Sequence, residues 1–358
     1  MGMKACCPEG RYNRPLGHSL SGATGMSSVT VFVGLDYHQD SVQVCVLDAA
    51  GGVLSNKPCR NDTAMIVQRV AAFGDRAFAA IECCTGAASL ADALAAVPGW
   101  SVDLAHPGYV ARLKQSPDKT DLQDAHLLAD LERVGYLPKV WLAPPELRDL
   151  RQLVRYRQQL VAQRRNAKLR VGALLREARV ARPDASPWTK AWVAWVKWVK
   201  LGEHARWVLD QHLQRLTDLA RDIKAAEERI AAATTEDAVV QKLLTLKGVG
   251  PVTAAALRAE IGRFDRFRNG KQLARFCGLS PRNASSGQRQ ADAGLVKAGN
   301  PELRAALIEL AHRLIRYDAR WMQLGRKLKD AGKPGSVAAA AVANRWVRWL
   351  HHEMVLVA

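Results

Sequence analysis

VTVFVGLDYHQDSVQVCVLDAAGGVLSNKPC, residues 29–59, decides how the chain begins to fold. Val29–Asp36 is apolar and β-branched and ends on an acid, Ser41–Asp48 alternates, and a third short strand spans Val53–Cys59. Gly51 and Gly52 separate the second and third runs, where a tight hairpin needs residues free to adopt positive φ. Further along come a helix over Thr63–Phe73, a buried strand Ala77–Glu82 (AFAAIE) that again ends on an acid, and an Ala-rich helix Ala87–Ala96. A strand near Trp100–Ala105 and a helix over Leu122–Val134 complete the series. Three meandering strands followed by alternating helices and strands is the RNase H-like (RuvC-like) order, an α/β domain.

Acids stand at the ends of these elements. Asp36 closes the first strand, Glu82 closes the fourth, and Asp121 and Asp124 open the last helix three residues apart, on one helix face. First and fourth strands are neighbours in such a sheet, so the four carboxylates are expected to converge. Without cations they would repel. Oxygen donors suit Mg2+ or Mn2+, and two such ions clamp a phosphoryl group for in-line displacement. Singly, each residue is an ordinary strand-end or helix-start acid. Four in this fold order form a metal-site pattern. His38 and His126 fall near them, either supporting the acids or simply lying on the surface.

The 358 residues leave room for two or three domains, and a hydrophobic fraction of 48% excludes a wholly disordered chain. Lys and Arg number 52 against 34 acids, a net +18 that calls for a polyanionic partner. The excess is uneven: residues 26–145 carry 9 basic and 13 acidic side chains, residues 146–358 carry 40 and 20. A mildly acidic catalytic head on a basic, nucleic-acid-gripping body is expected. The most apolar run, Val337–Ala343, stops at Asn344 and Arg345, short of the roughly 20 residues a membrane span needs. Seven cysteines, with Cys6/Cys7 and Cys83/Cys84 adjacent, suit neither a disulfide framework nor zinc spacing and point to a reducing cytoplasm. Residues 1–25 lack an apolar core, so they are expected to be a disordered leader or a mis-assigned start before Met26, not a secretory signal.

Pro144-Pro145 marks the end of the head, expected at residues 26–145. Beyond it Leu153, Tyr156, Leu160, Ala167, Val171, Leu174 and Ala178 recur at helical or heptad spacing among many arginines. A long basic helix, plausibly a coiled coil, is expected to fill much of residues 146–236, with Arg155, Arg164, Arg165 and Lys168 as phosphate contacts. Pro183 and Pro187 should break it before a helix carrying Trp188, Trp192, Trp195 and Trp198, and a third helix should cover His204–Ala233. The tryptophan spacing is that of a packed stripe more than of a base-stacking platform. Residues 237–358 read as a mainly helical module. Lys247-Gly248-Val249-Gly250-Pro251 resembles a helix-hairpin-helix turn, whose glycines let backbone approach a phosphate at a helix N-terminus. The segment Asn283–Arg289, flanked by Arg282 and followed by Lys297, places Ser285 and Ser286 before Gly287. On residue type alone that is turn chemistry.

GLD at 34–36, IECCTG at 81–86, KTDLQDAHLLADL at 119–131, GLSPRNASSGQRQ at 278–290 and VKAGNPELRAAL at 296–307 together resemble the DEDD insertion-sequence transposases, the "IS one-ten" family, members of which act as bridge-RNA-guided recombinases. The likeness runs from about Val29 to Arg320. It implies an acidic tetrad of Asp36, Glu82, Asp121 and Asp124 and a nucleophilic serine, which the family pattern places on Ser286 with Ser285 one step away. It further implies Mg2+ (or Mn2+), cleavage through a 5′-phosphoserine, donor and target DNA, and a structured non-coding guide RNA. Arg282, Arg289 and Lys297 would neutralise phosphate around the serine, and the long helices would bind RNA and pair protomers as a dimer or tetramer. IECCTG departs from the commoner EATG form while keeping the acid and the Thr-Gly. Two alternatives stand beside this: a RuvC-like structure-selective nuclease in which the acids do all the chemistry, and a non-catalytic basic RNA- or DNA-binding protein.

Overall fold

The computed structural model describes residues 29–114, 120–283, 292–296 and 299–355. They fall into two compact units that divide between Leu142 and Ala143.

In the first unit, strands β1 (Thr30–Tyr37), β2 (Ser41–Leu47) and β3 (Val53–Arg60) are followed by helix α1 (Thr63–Ala71), strand β4 (Arg76–Glu82) and helix α2 (Ala87–Ala95). Strand β5 (Trp100–Ala105), helices α3 (Pro107–Leu113) and α4 (Asp121–Arg133) and a short strand β6 (Lys139–Val140) complete it. Helix α3 and strand β6 were not expected. His106 and Pro107 mark the start of α3: the imidazole accepts from the Gly108 amide, and proline occupies the first turn. The sheet order is β3-β2-β1-β4-β5-β6, with β1, β4 and β5 mutually parallel and β2, β3 and β6 antiparallel to their neighbours.

The period of two along β1 sorts its side chains between the faces. Val31, Val33 and Leu35 join Ile66 and Val70 of α1 and Leu90, Ala91 and Leu94 of α2 in one core. Phe32 lies on the opposite face with Cys45, Leu47, Ala125 and Ala129, against α4. Gly34 belongs to that second face. A Cβ there would lie 1.8 Å from the Ala125 carbonyl oxygen and 2.6 Å from the Ala129 nitrogen, so glycine is what lets α4 rest backbone-to-backbone on β1.

The second unit opens with two long helices, α5 (Pro145–Glu177) and, after a short α6 (Lys190–Val196), α7 (Glu203–Ala233). Leu150 and Val154 share a cluster with Ile230, Leu160 with Leu219 and Ile223, and Val171 and Leu175 with Leu209. Rising numbers on one helix meet falling numbers on the other, so α5 and α7 form an antiparallel hairpin with α6 tucked against its turn. Helix α5 ends ahead of both prolines, and Arg179 follows in the left-handed region at φ 48°. The expected four-tryptophan helix is shorter than its stripe. Thr189 caps α6 through the Trp192 amide, which leaves Trp188 outside at φ 70° and Trp198 beyond its end. Trp192 is buried and Trp198 is 85% exposed, so the packed-stripe reading holds for only part of the row.

Helices α8 (Ala238–Leu244), α9 (Pro251–Ile261) and α10 (Gly270–Phe276), a hairpin of β7 (Pro281–Asn283) and β8 (Asp292–Leu295), and helices α11 (Pro301–Tyr317), α12 (Ala319–Asp330) and α13 (Gly335–Met354) follow. Their shared core includes Phe264, Leu310, Trp346 and Leu350. Ala255, Ala256 and Ala259 turn the other side of α9 toward Leu150, Val154 and Ile230, so the helical hairpin and the C-terminal helices form one unit.

Candidate functional site

Asp36 follows Gly34 on the face of β1 that α4 covers. The β1–β4 register pairs Leu35 with Ile81, so Asp36 and Glu82 are the next residues at the same edge of the sheet. Helix α4 begins there. Thr120 caps it by accepting from the Gln123 amide, which sets Asp121 and Asp124 in a first turn whose partial positive charge favours anions. His38 Nε2 lies 3.5 Å from Asp36 Oδ2 and 3.3 Å from Asp121 Oδ2. Donor atoms of Asp36, His38 and Asp121 all fall within 4.8 Å of one another. The Lys114 ammonium sits 2.7 Å from Asp124 Oδ1.

Burial, foremost, pushes the Asp36 carboxyl above the usual carboxylate range; His38 opposes this, and the charges of Asp121, Asp124 and Glu82 add to it. Among the described residues, the cluster that could hold a cation takes in Asp36 and Asp121 with His38, and Glu82 and Asp124 stand outside it while still adding their charge at Asp36. Carboxylate oxygens gathered around a half-buried Asp36, with an imidazole nitrogen alongside, could hold a hard divalent cation such as Mg2+ or Mn2+.

What holds the helical pair of acids against the strand pair was not foreseen. Gln43 lies directly opposite Asp36 in the β1–β2 register and is 6% exposed. Its Nε2 donates to Asn56 Oδ1 at 2.7 Å, and Asn56 Nδ2 donates to the Leu122 carbonyl at 3.0 Å, between Asp121 and Asp124. The available signal was Gln43 itself, a polar residue on the face that also carries Cys45 and Leu47. Asn56→Ala is expected to leave the protein folded and to weaken Mn2+ binding by about 10–100-fold, the usual range for groups that orient ligands. Isothermal titration with Mn2+ checks this.

In the second unit the candidate phosphate contacts separate. Arg165 is exposed and Arg164 half-buried, and Lys168 lies 4.9 Å over the Trp188 ring. Arg155 is half-exposed, and its Nε and Nη2 fork onto the buried Glu260 of α9 at 2.7 and 3.0 Å. A carboxylate 3% exposed needs such a partner, and Arg155 is at once a structural ion-pair donor and a candidate phosphate contact. Arg155→Ala should cost roughly 1–3 kcal/mol in denaturant unfolding, since Glu260 keeps other donors, whereas Arg165→Ala should stay within about 0.5 kcal/mol.

Lys247 is exposed on the α8–α9 turn, and Gly248 there has φ 83°. A Cβ on Gly248 would meet Leu314 and Leu310 of α11 at 3.2 and 3.3 Å, so this glycine also seats the turn on α11. Gly250 caps α9 just before Pro251.

Ser285, Ser286, Arg289 and Lys297 lie outside the described residues, as does the leader 1–25; Arg282 is exposed on β7. The base beneath the serine segment is described. Strands β7 and β8 pair Pro281 with Leu295 and Asn283 with Asp292, and Val296 N donates to the Ser280 carbonyl at 2.9 Å. A Cβ on Gly299 would fall 2.7 Å from Gly278 Cα, so two glycines close the base. Asn300 N donates to the Phe276 carbonyl at 3.0 Å, and its side chain caps α11 while donating to Glu260 Oε2 at 2.7 Å. One hydrogen-bonded chain, Arg155–Glu260–Asn300, thus links the long basic helix to that base.

Comparison with known proteins adds to this geometry. The model of the transposase IS116/IS110/IS902 family matches residues 240–325, and a model described as transposase, of the DEDD type of IS110 elements, matches residues 33–180. The "Probable family 20 transposase" of Pseudomonas aeruginosa is 30% identical over 269 residues, 70% of this chain and 76% of that protein. "Transposase for insertion sequence element IS1111A" of Coxiella burnetii is 27% identical over 88% of both chains. "Transposase for insertion sequence element IS1328" of Yersinia enterocolitica is 25% identical over 90% of this chain and 96% of that protein.

Proposed function

Because the chain belongs to the IS116/IS110/IS902 transposase family, we propose that it moves an insertion element by cutting and rejoining DNA through a serine-linked intermediate at a divalent-metal centre. The first unit serves as an RNase H-like, RuvC-like head, a reading supported by its strand order β3-β2-β1-β4-β5. The observation that carries the reading is the gathering of Asp36, His38 and Asp121 within 4.8 Å, with Glu82 and Asp124 near enough to raise the Asp36 pKa. Asp36, Glu82, Asp121 and Asp124 hold Mg2+ (or Mn2+), which when bound withdraws charge from the scissile phosphate.

Ser286 supplies the nucleophile. Its Oγ forms a bond to phosphorus as the bond from phosphorus to the 3′-oxygen breaks. The serine hydroxyl loses one proton and the departing 3′-oxygen gains one. The 5′-phosphate stays on the protein, so the phosphodiester is conserved until a 3′-hydroxyl of the exchanged strand reverses the step. Arg282, Arg289 and Lys297 neutralise the phosphate near the serine. Lys247, Gly248 and Gly250 present a helix-hairpin-helix-like contact to backbone phosphate.

A structured non-coding RNA selects donor and target DNA, gripped through Arg155, Arg164, Arg165 and Lys168 on the α5–α7 hairpin, which also pairs protomers. No helix among the described residues is long and apolar enough to cross a membrane, in keeping with work in the cytoplasm on nucleoid DNA. The test is incubation with element-end DNA and Mg2+ followed by denaturing electrophoresis. A protease-sensitive adduct supports the reading. Free 5′-phosphate ends with no adduct at any time return the protein to a nuclease whose acids act alone.

A further inference from the structure

Trp198 is the most exposed large apolar side chain among the described residues, at 85%, and Trp207 follows at 63% after Tyr317. The backbone around Trp198 is tightly held. Arg206, one residue before Trp207 on α7, donates from Nη1 to the carbonyls of Val196, Lys197 and Val199 at 3.2, 3.1 and 3.4 Å. Its Nε bonds Asp210 at 3.0 Å, which fixes the guanidinium. Val196 and Val199 are buried on either side of Trp198. One indole is thus raised into solvent from a clamped loop.

The surroundings are basic. Lys197 and Lys200 flank Trp198, both exposed, and residues 176–202 carry six Lys/Arg against two acids. Such a surface attracts a polyanion. An indole face stacks on a base only where the base is unpaired, since a duplex buries base faces and offers edges. Folded RNA keeps loops permanently unpaired, whereas DNA opens only in passing, so a permanently displayed indole suits RNA.

We propose that Trp198 is a stacking platform for an unpaired nucleotide in a loop of a folded RNA, with Lys197 and Lys200 taking the adjacent phosphates. The site rests on the RNA partner put forward above and names where that RNA is held and by what contact. Binding of the full-length protein is measured for a hairpin RNA with an open uridine loop, its stem alone as a blunt duplex, single-stranded oligothymidine, and vesicles containing an anionic lipid. Trp198→Ala should weaken the hairpin about tenfold or more, the scale of one lost base–aromatic stack, and leave the stem unchanged. Trp198→Phe should restore most of the loss. Lys197→Ala with Lys200→Ala should flatten the salt dependence of hairpin binding by about 1.4 in log–log slope, two single-strand contacts at roughly 0.7 each.

Equal weakening of hairpin and stem, tighter binding of oligothymidine or vesicles than of the hairpin, or a change of oligomeric state in Trp198→Ala would each overturn the site. RNA binding indifferent to Trp198 removes this platform alone. A parent protein that binds neither RNA removes the RNA partner as well.

Discussion

With Ser286 replaced by alanine, no protein should remain attached to cleaved DNA on a denaturing gel, and strand exchange should fall by at least roughly 10^4-fold, the scale on which enzymes decline when they lose their nucleophile. Folding and nucleic-acid binding should persist. The closure that forms the base of this segment, Gly278 against Gly299 and Asn300 between Phe276 and Glu260, involves neither serine. Ser285→Ala is the control and should retain at least part of the activity. An adduct that survives in Ser286→Ala and disappears in Ser285→Ala moves the nucleophile by one residue. Survival in both variants sinks the serine mechanism.

Asp36→Asn should be equally severe for catalysis and, unlike Ser286→Ala, should raise stability. Asp36 is the acid that stands with both His38 and Asp121, so its loss removes the centre of the proposed cation site. DNA cleavage with Mg2+ should fall to the level seen for the parent in EDTA. A carboxyl whose pKa is raised by folding contributes stability below its folded pKa and loses that contribution as pH rises past it. At neutral pH the metal-free parent therefore carries electrostatic strain that asparagine relieves. Asp36→Asn should melt at a higher temperature than the parent in EDTA, and the rise in Tm that Mg2+ gives the parent should vanish. As pH falls, protons should compete with the cation for Asp36 earlier than for an ordinary carboxylate. A variant that melts lower than the parent without metal, yet still gains from Mg2+, would place the cation elsewhere.

Strand order was legible because period-two apolar runs and the Gly51-Gly52 turn are local signals, and each acid stood at a visible element end. Residues that depend on distant partners were not. Gln43 reads as one polar residue in an apolar strand until Asn56 and the Leu122 carbonyl meet it. Arg155 looks like any arginine of its basic helix, and only Glu260, 105 positions away, shows that it also holds a structural ion pair. The tryptophan row misled for a different reason. Spacing registers a helix face, but the Thr189 cap and the short α6 decide which members of the row share that face.

The contact at Gly34 bears on how this chain can change over generations. Ala125 and Ala129 are fully buried against it, with no spare space for a methyl group on the glycine. Substitution at Gly34 would push α4, and with it Asp121 and Asp124, away from Asp36, so a change tolerable in most strands is here coupled to the acid cluster. Drift at this seam has to be concerted. A larger residue in the strand becomes acceptable only after the helix has already shifted, and that shift is itself harmful while glycine remains. Positions 34, 125 and 129 therefore form an epistatic block, and libraries that vary them singly should return almost only the parental residues.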